Sequence, residues 1–142
     1  MRTSPYFRKL LHMYENPRLR GASLFERMVN NAKTFADWNE IHRYGDNAYQ
    51  SMALEKMKSL VLDGKKVVDI QKNILDLFEL IADSSEQETI LKQYLEVHAE
   101  KDDLLFILSV CPYIDDFWRE VQELALKYYS TEELWCALDA RD

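Results

Sequence analysis

The stretch KTFADWNEIHRYGDNAYQSMALEKM (residues 33–57) has the pattern of two helices separated by one break. Thr34 is a candidate N-cap, and Asp37 three residues later completes a weaker form of the capping box. Apolar residues three apart then share one helical face: Phe35, Trp38 and Ile41. Gly45 suits the left-handed C-terminal cap that ends many helices, and a second helix follows over residues 48–62. The stretch therefore predicts a helical hairpin.

The same helical period continues along the rest of the chain. Most of the other predicted helices begin at a capping or acidic residue; these are Ser4 with Pro5, Ser23 with Glu26, Ser84 or Ser85, Asp102 with Asp103, Asp115, and Ser130 or Thr131. Residues 66–82 form a strongly amphipathic helix. Residues 104–112 are so apolar that we expect their helix to be the most buried element. The last two helices are expected to bury Phe117, Trp118, Val121, Leu124, Ala125 and Tyr128, and Leu134, Trp135 and Leu138.

Composition supports an all-α fold in a single domain covering residues 1–142. The chain has only three Gly and three Pro in 142 residues, whereas a sheet protein needs many more turn-forming residues. The pattern predicts eight or nine short helices joined by short loops, which makes neighbouring helices antiparallel. The expected architecture is a stack of helical hairpins, which would be a degenerate α-helical repeat, or a compact bundle.

Parts of the chain are similar to one another and to known helical repeats. TFADWNEI at Thr34 and TEELWCAL at Thr131 share a cap, a Trp and an aliphatic residue, but further matches occur at other offsets, so a repeat and an irregular domain both stay open. In general form, residues 34–57 resemble the paired-helix unit of helical-repeat proteins of the tetratricopeptide or HEAT kind. The resemblance implies packed helix pairs, and it assigns no functional residue.

The sequence contains no pattern typical of an enzyme or a metal site. The histidines, His12, His42 and His98, are far apart and outside any metal-binding spacing, and no Gly-rich phosphate loop or nucleophile elbow occurs. Cys111 and Cys136 are 25 positions apart, and we expect both to be buried, reduced thiols. The sequence therefore predicts a protein that is not an enzyme, with no metal and no cofactor.

Charge is distributed unevenly, and this directs the functional prediction. Residues 1–72 have a net charge of +5 and residues 73–142 a net charge of −12. We expect a non-catalytic protein–protein interaction module, adaptor or inhibitor-like, whose acidic half binds another protein; head-to-tail self-association into a homo-oligomer is a further possibility. The candidate partner-binding residues are Asp102, Asp103, Asp115, Asp116, Trp118 and Tyr129.

The alternative prediction is nucleic-acid binding through the basic N-terminal region. Its candidate residues are Arg8, Lys9, Arg18 and Arg20, which lie among seven basic and two acidic residues in positions 1–36. No signal peptide is recognisable, and the longest apolar run is too short to cross a bilayer. We therefore expect no membrane partner and a cytoplasmic protein, or an exported effector whose signal is not readable.

Overall fold

The fold is all-α, as the sequence predicts. The computed structural model describes residues 2–63 and 69–141, and over those residues the chain is 76% helical, with nine α-helices and no β-strand. The helices are α1 (Pro5–Glu15), α2 (Ala22–Asn31), α3 (Phe35–Tyr44), α4 (Asn47–Leu62), α5 (Ile70–Leu80), α6 (Ser84–Val97), α7 (Lys101–Val110), α8 (Asp116–Ala125) and α9 (Thr131–Arg141). None of these helices is both long and apolar enough to cross a membrane.

The chain divides into two compact units. Unit 1 is Met1–Leu77 and unit 2 is Phe78–Asp142, so the boundary falls within α5. The helix predicted over residues 66–82 is shorter in the structure, where it starts at Ile70; residues 66–68 lie outside the described part of the chain. The organisation as a single domain stays a prediction.

Unit 1 is centred on the hairpin that the opening stretch predicts. Helices α3 and α4 pack along each other, and α1 packs on α2. The buried core of the unit combines side chains from these four helices and from the first part of α5: Phe7, Leu10, Phe25, Met28, Phe35, Trp38, Ile41, Ala53, Met57, Val61, Ile74 and Leu77. The packed α3–α4 pair is compatible with the paired-helix architecture that the resemblance implies.

The capping box at the start of α3 is present as predicted. The hydroxyl of Thr34 accepts a hydrogen bond from the backbone N–H of Asp37 at 3.1 Å, and the Asp37 carboxylate accepts one from the backbone N–H of Thr34 at 3.1 Å. These bonds satisfy backbone donors that a helix start leaves without a partner. Asp37 is completely buried, so this box lies inside the unit and not on its surface.

Two predicted caps are wrong. Helix α2 begins at Ala22, with Gly21 as its N-cap, so Ser23 lies inside the helix. The preceding residues close a turn in which the N–H groups of Leu19 and Arg20 both donate to the carbonyl of Asn16. The helix can therefore begin immediately after that turn. Helix α6 is capped by Asp83, whose carboxylate accepts from the N–H of Ser85 at 2.9 Å, and not by a serine.

Gly45 ends α3 for a reason other than the predicted one. Its φ of −82° and ψ of 162° are extended, not left-handed. A Cβ at this position would lie 2.7 Å from the Cβ of Tyr49 and 2.8 Å from the carbonyl oxygen of Ile41. Glycine is needed here because α3 and α4 approach each other closely, and no other residue leaves enough room.

Unit 2 is built around α7, which confirms the prediction of a very buried helix. Five consecutive residues of α7 are buried, from Leu104 to Leu108. Helices α6, α8 and α9 all contact it. They add the buried side chains Ile90, Leu91, Tyr94, Phe117, Val121, Ala125 and Leu134, and Ile81, just after α5, is buried as well. A helix that is apolar on all sides needs such neighbours, because no face of it suits water.

Candidate functional site

The first pair of predicted partner-binding acids lies at the start of α7. Asp103 accepts hydrogen bonds from the hydroxyl of Tyr94 at 2.5 Å and from the N–H of Glu100 at 3.1 Å, so its carboxylate joins α6 to α7. Asp102 is exposed and forms an ion pair with Arg141 at the end of α9. Asp103 is therefore a structural residue, whereas Asp102 keeps most of its side chain at the surface.

The second pair begins α8. Asp115 is the N-cap and accepts from the N–H of Trp118 at 3.2 Å. Burial raises the pKa of Asp115, but the hydrogen bond that its carboxylate accepts from the Trp118 N–H opposes this effect, and the net shift is downward. Asp116 is fully exposed and lies 3.4 Å from Arg119. The accessible acids of the predicted set are thus Asp102 and Asp116.

The two predicted aromatic residues are partly used inside unit 2. Trp118 is half-buried, and its indole N–H donates to the carbonyl of Leu108 at 3.1 Å, which ties α8 to α7. Tyr129 is half-buried beneath the ammonium of Lys101, which lies 4.6 Å from the ring centroid. Burial and the nearby charge of Asp102 raise the pKa of the Tyr129 hydroxyl. Trp118 is held in place by packing and by this hydrogen bond, and Tyr129 is only partly accessible to a partner.

Besides Val97, unit 2 exposes four large apolar side chains that are not among the predicted partner-binding residues. Ile114 is 71% exposed, Trp135 63%, Tyr128 55% and Tyr113 42%. The prediction that Tyr128 and Trp135 point inward is wrong. On α9, Leu134 occupies the inward position, and a neighbouring residue is rotated by about 100° around a helix. Leu134, Ala137 and Leu138 have the spacing of one helical face without Trp135. This spacing is the sequence feature that could have placed Trp135 on the exposed side.

The basic residues of the alternative prediction are all exposed in unit 1. Arg8 donates to Thr3, and Arg20 donates to the carbonyl of Tyr14 at 3.0 Å. The guanidinium of Arg20 also lies 5.2 Å from the centroid of the Tyr14 ring. Lys9 and Arg18 are exposed on α1 and on the following loop. These cations form an accessible basic surface, of which Arg20 is the most constrained member.

A groove between α1 and α2 is a further surface that the sequence does not reveal. It has a volume of about 540 Å³. Its walls include Leu10 and Leu24, and Ser23, predicted as a cap, lies at its edge. The groove forms because α1 and α2 pack while the turn between them leaves apolar side chains uncovered. Only the packed helices create this surface, since its residues come from two separate segments.

Chemistry-bearing groups in the described part of the chain are dispersed. No three or more His, Cys, Asp or Glu side chains within residues 2–63 and 69–141 gather at a distance that would hold a metal ion. Cys111 is half-buried and Cys136 is exposed, and both are free, so the expectation that both are buried is wrong. Burial raises the pKa of the Cys111 thiol, which lowers its nucleophilicity at neutral pH.

His98, at the end of α6, is a buried titratable side chain. It is 4% exposed, and its ring stacks on Tyr94 with centroids 4.5 Å apart. Its Nε2 atom is buried and forms no hydrogen bond with the described residues. Tyr94 in turn donates to Asp103. The imidazole acts here as a core ring, and no second histidine or cysteine is near it in sequence.

Comparisons of this chain with models of known protein families, with curated proteins and with solved structures find no match.

Proposed function

We propose that the protein is a non-catalytic protein–protein interaction module whose binding surface lies on unit 2. The observation that carries this proposal is the exposure of Trp135, Tyr128, Ile114 and Tyr113 in one small unit. Three of these four side chains are aromatic, and Ile114 and Trp135 are the most exposed large apolar side chains among the described residues. Trp and Tyr are also the residues that most often dominate binding energy at protein interfaces.

The charge of the same unit defines the kind of partner. Residues 78–142 hold 5 Lys+Arg and 16 Asp+Glu, a net charge of −11. The exposed carboxylates of Asp102 and Asp116 contribute to this field. We therefore propose a partner protein with a basic, partly apolar surface, because complementary charge accelerates association and excludes acidic competitors. Asp103, Asp115 and Trp118 support this surface by fixing α7 and α8.

The all-helical scaffold suits this role. The α3–α4 pair is compatible with a degenerate helical repeat, and proteins of that kind bind partners through the faces of stacked helices. We therefore propose in addition that the helices form a degenerate helical repeat.

A pull-down from lysate of the native host, followed by mass spectrometry, tests the proposal. The Trp135→Ala variant and the Asp116→Lys variant should each lose the partner that the wild-type chain captures, with a decrease of about tenfold or more in bound protein. Both side chains are exposed, so the fold should be retained, and circular dichroism verifies this.

Matched controls in unit 1 make this test specific. Met52→Ala removes an exposed apolar side chain, and Glu55→Lys reverses an exposed carboxylate. Both controls should capture the partner as the wild type does. Capture that is the same for Trp135→Ala, Asp116→Lys and wild type would contradict the proposed binding surface.

Nucleic-acid binding is the alternative function, and the exposure of Arg8, Lys9, Arg18 and Arg20 favours it. A gel shift with a 30-base-pair DNA duplex at low salt tests it. The shift should weaken steeply as salt rises, because bound cations displace counterions from the phosphates. It should also be lost in the Arg18→Ala/Arg20→Ala variant and kept in Arg119→Ala. Absence of any shift at low salt would eliminate this alternative.

A further inference from the structure

The groove between α1 and α2 combines an apolar wall with a basic border. Tyr6, Met13 and Leu19 line it and are 50%, 42% and 48% exposed. Its volume of about 540 Å³ lies in the range of sites that enclose a ligand or a large side chain. Lys9 and Arg27 also line it, and both are exposed. A segment that complements this groove therefore carries a large apolar side chain with carboxylates on both sides of it.

One face of α9 has this chemistry. Trp135 is 63% exposed near the middle of the helix. Glu132 lies three residues before it and Asp139 four residues after it, and both are exposed. Residues at these spacings share a helical face, so the indole has an acid one turn away on each side. Leu134, rotated by about 100° from Trp135, is buried and attaches the helix to unit 2.

We propose that α9 of one copy docks into the α1–α2 groove of a second copy, with Trp135 in the groove and Glu132 and Asp139 facing Lys9 and Arg27. This inference rests on the proposed function, because it uses the same Trp135 face as the binding element. Charge complementarity selects this occupant: residues 1–36 hold seven Lys+Arg and two Asp+Glu, whereas the α9 face is acidic. The uneven charge of the chain thereby gains a role in recognition between copies.

The contact is head-to-tail, since the groove and α9 are different surfaces of the same chain. Such a contact does not pair two copies symmetrically, and each added copy presents a further groove and a further α9. Assemblies should therefore grow with concentration beyond a dimer. They should also dissociate in high salt, because the distance over which exposed charges attract falls from about 10 Å at 0.1 M to about 3 Å at 1 M.

Sedimentation velocity of the full chain over a concentration series at low salt is the first measurement. The weight-average mass should rise above the monomer value of 16.9 kDa. The Trp135→Ala and Arg27→Glu variants should associate at least about tenfold more weakly. Lys33→Glu, which reverses an exposed cation that does not line the groove, should associate like wild type. A wild-type chain that stays at 16.9 kDa at every concentration would overturn the proposal.

A charge-swap mixture identifies the two surfaces. One variant carries Lys9→Glu and Arg27→Glu, and the other carries Glu132→Lys and Asp139→Lys. Each should be monomeric alone, because its groove and α9 then repel each other. Mixed together, the acidic groove of the first faces the basic α9 of the second, and the assembly should return. A mixture that stays monomeric would show that these surfaces do not pair.

The Arg27→Glu variant separates this inference from the proposed function. It should capture the host partner normally while failing to self-associate, because the partner surface on unit 2 is intact. Normal capture that depends on Trp135, together with a monomeric wild type, would overturn the self-association alone. Loss of both Trp135-dependent capture and self-association would overturn both proposals.

Discussion

Asp37 is the residue on which the geometry of unit 1 depends most. Its carboxylate is completely buried and accepts four hydrogen bonds. The backbone N–H of Ser4 donates to Oδ1 at 2.8 Å, and the Ser4 hydroxyl donates to Oδ2 at 2.8 Å. The backbone N–H groups of Lys33 and Thr34 also donate to Oδ2, at 2.8 and 3.1 Å. One side chain therefore joins the start of α1 to the start of α3.

An Asp37→Asn substitution tests this role. The amide can place its oxygen where three donors converge, but its NH₂ group then faces the N–H of Ser4. The hydrogen bond from the Ser4 N–H is then replaced by a repulsive contact between two donors. The other three bonds are made to a neutral amide oxygen and not to a charged carboxylate. We expect unfolding to become easier by about 3 kcal/mol, measured by urea denaturation.

Asp46→Asn is the matched control for this substitution. Asp46 is the exposed N-cap of α4, and its carboxylate accepts from the N–H groups of Ala48 and Tyr49. Asn caps a helix about as well as Asp, so the cost should stay below about 0.5 kcal/mol. Equal costs for the two substitutions would show that the buried bonds of Asp37 do not stabilise the unit.

At the scale of the helix, the starts of α2 and α3 show which local signal the chain uses. Both segments have a serine or threonine followed by an acid three residues later. Only Thr34 caps a helix, because Ser23 lies inside α2. The same local pattern thus produces a cap at one place and an ordinary helical position at the other. The turn before α2 makes the difference, since it delivers the chain into the helix at Ala22.

Alanine substitutions should separate these two positions. Thr34→Ala removes the oxygen that accepts from the Asp37 N–H, and we expect a loss of about 1 kcal/mol in the free energy of unfolding. Ser23→Ala is expected to be neutral or stabilising by a few tenths of a kcal/mol, because alanine is the better helix former at an exposed helical position. A loss near 1 kcal/mol at Ser23 would restore the capping box predicted from sequence.

For the whole molecule, stability depends on pH through carboxyl groups whose shifts have opposite sign in the two units. In unit 1, burial raises the pKa of Glu40, with Arg43 opposing this effect and Glu15 adding to it. In unit 2, hydrogen bonds from the N–H and hydroxyl of Ser130 lower the pKa of Glu133 against a small effect of burial. A raised pKa destabilises the fold as pH increases through it, and a lowered pKa destabilises the fold as pH falls through it.

Glutamine substitutions should reveal the opposite effects of Glu40 and Glu133 on the free energy of unfolding. At pH 7, Glu40→Gln should be more stable than wild type and Glu133→Gln less stable. Both differences should shrink toward zero by about pH 3, where the carboxyls become protonated in the folded and unfolded chains. Denaturant titrations at several pH values measure this. Glu123→Gln, an exposed exchange in α8, controls for the change in net charge, and differences independent of pH would contradict the assignment.

Sequence patterns alone predict the helical class, the approximate position of each helix and most core positions. These follow from local chemistry: a period of 3.6 residues, few turn formers, and caps such as Thr34 and Asp115 that act within three residues. The charge difference between the halves is also fixed by sequence alone. The predicted acids were located correctly at helix starts. Asp115 is the N-cap of α8, and Asp103 accepts from the N–H of Glu100, the N-cap of α7.

The packing of the helices selects which side chains remain exposed for binding. Leu134 and Trp135 are both strongly apolar, and they differ by about 100° around α9, so packing against unit 2 selected the inward one. Asp37 bonds to Ser4, 33 residues away, and the groove joins two helices separated by a loop. Contacts over such distances have no local pattern, because they depend on how whole helices pack.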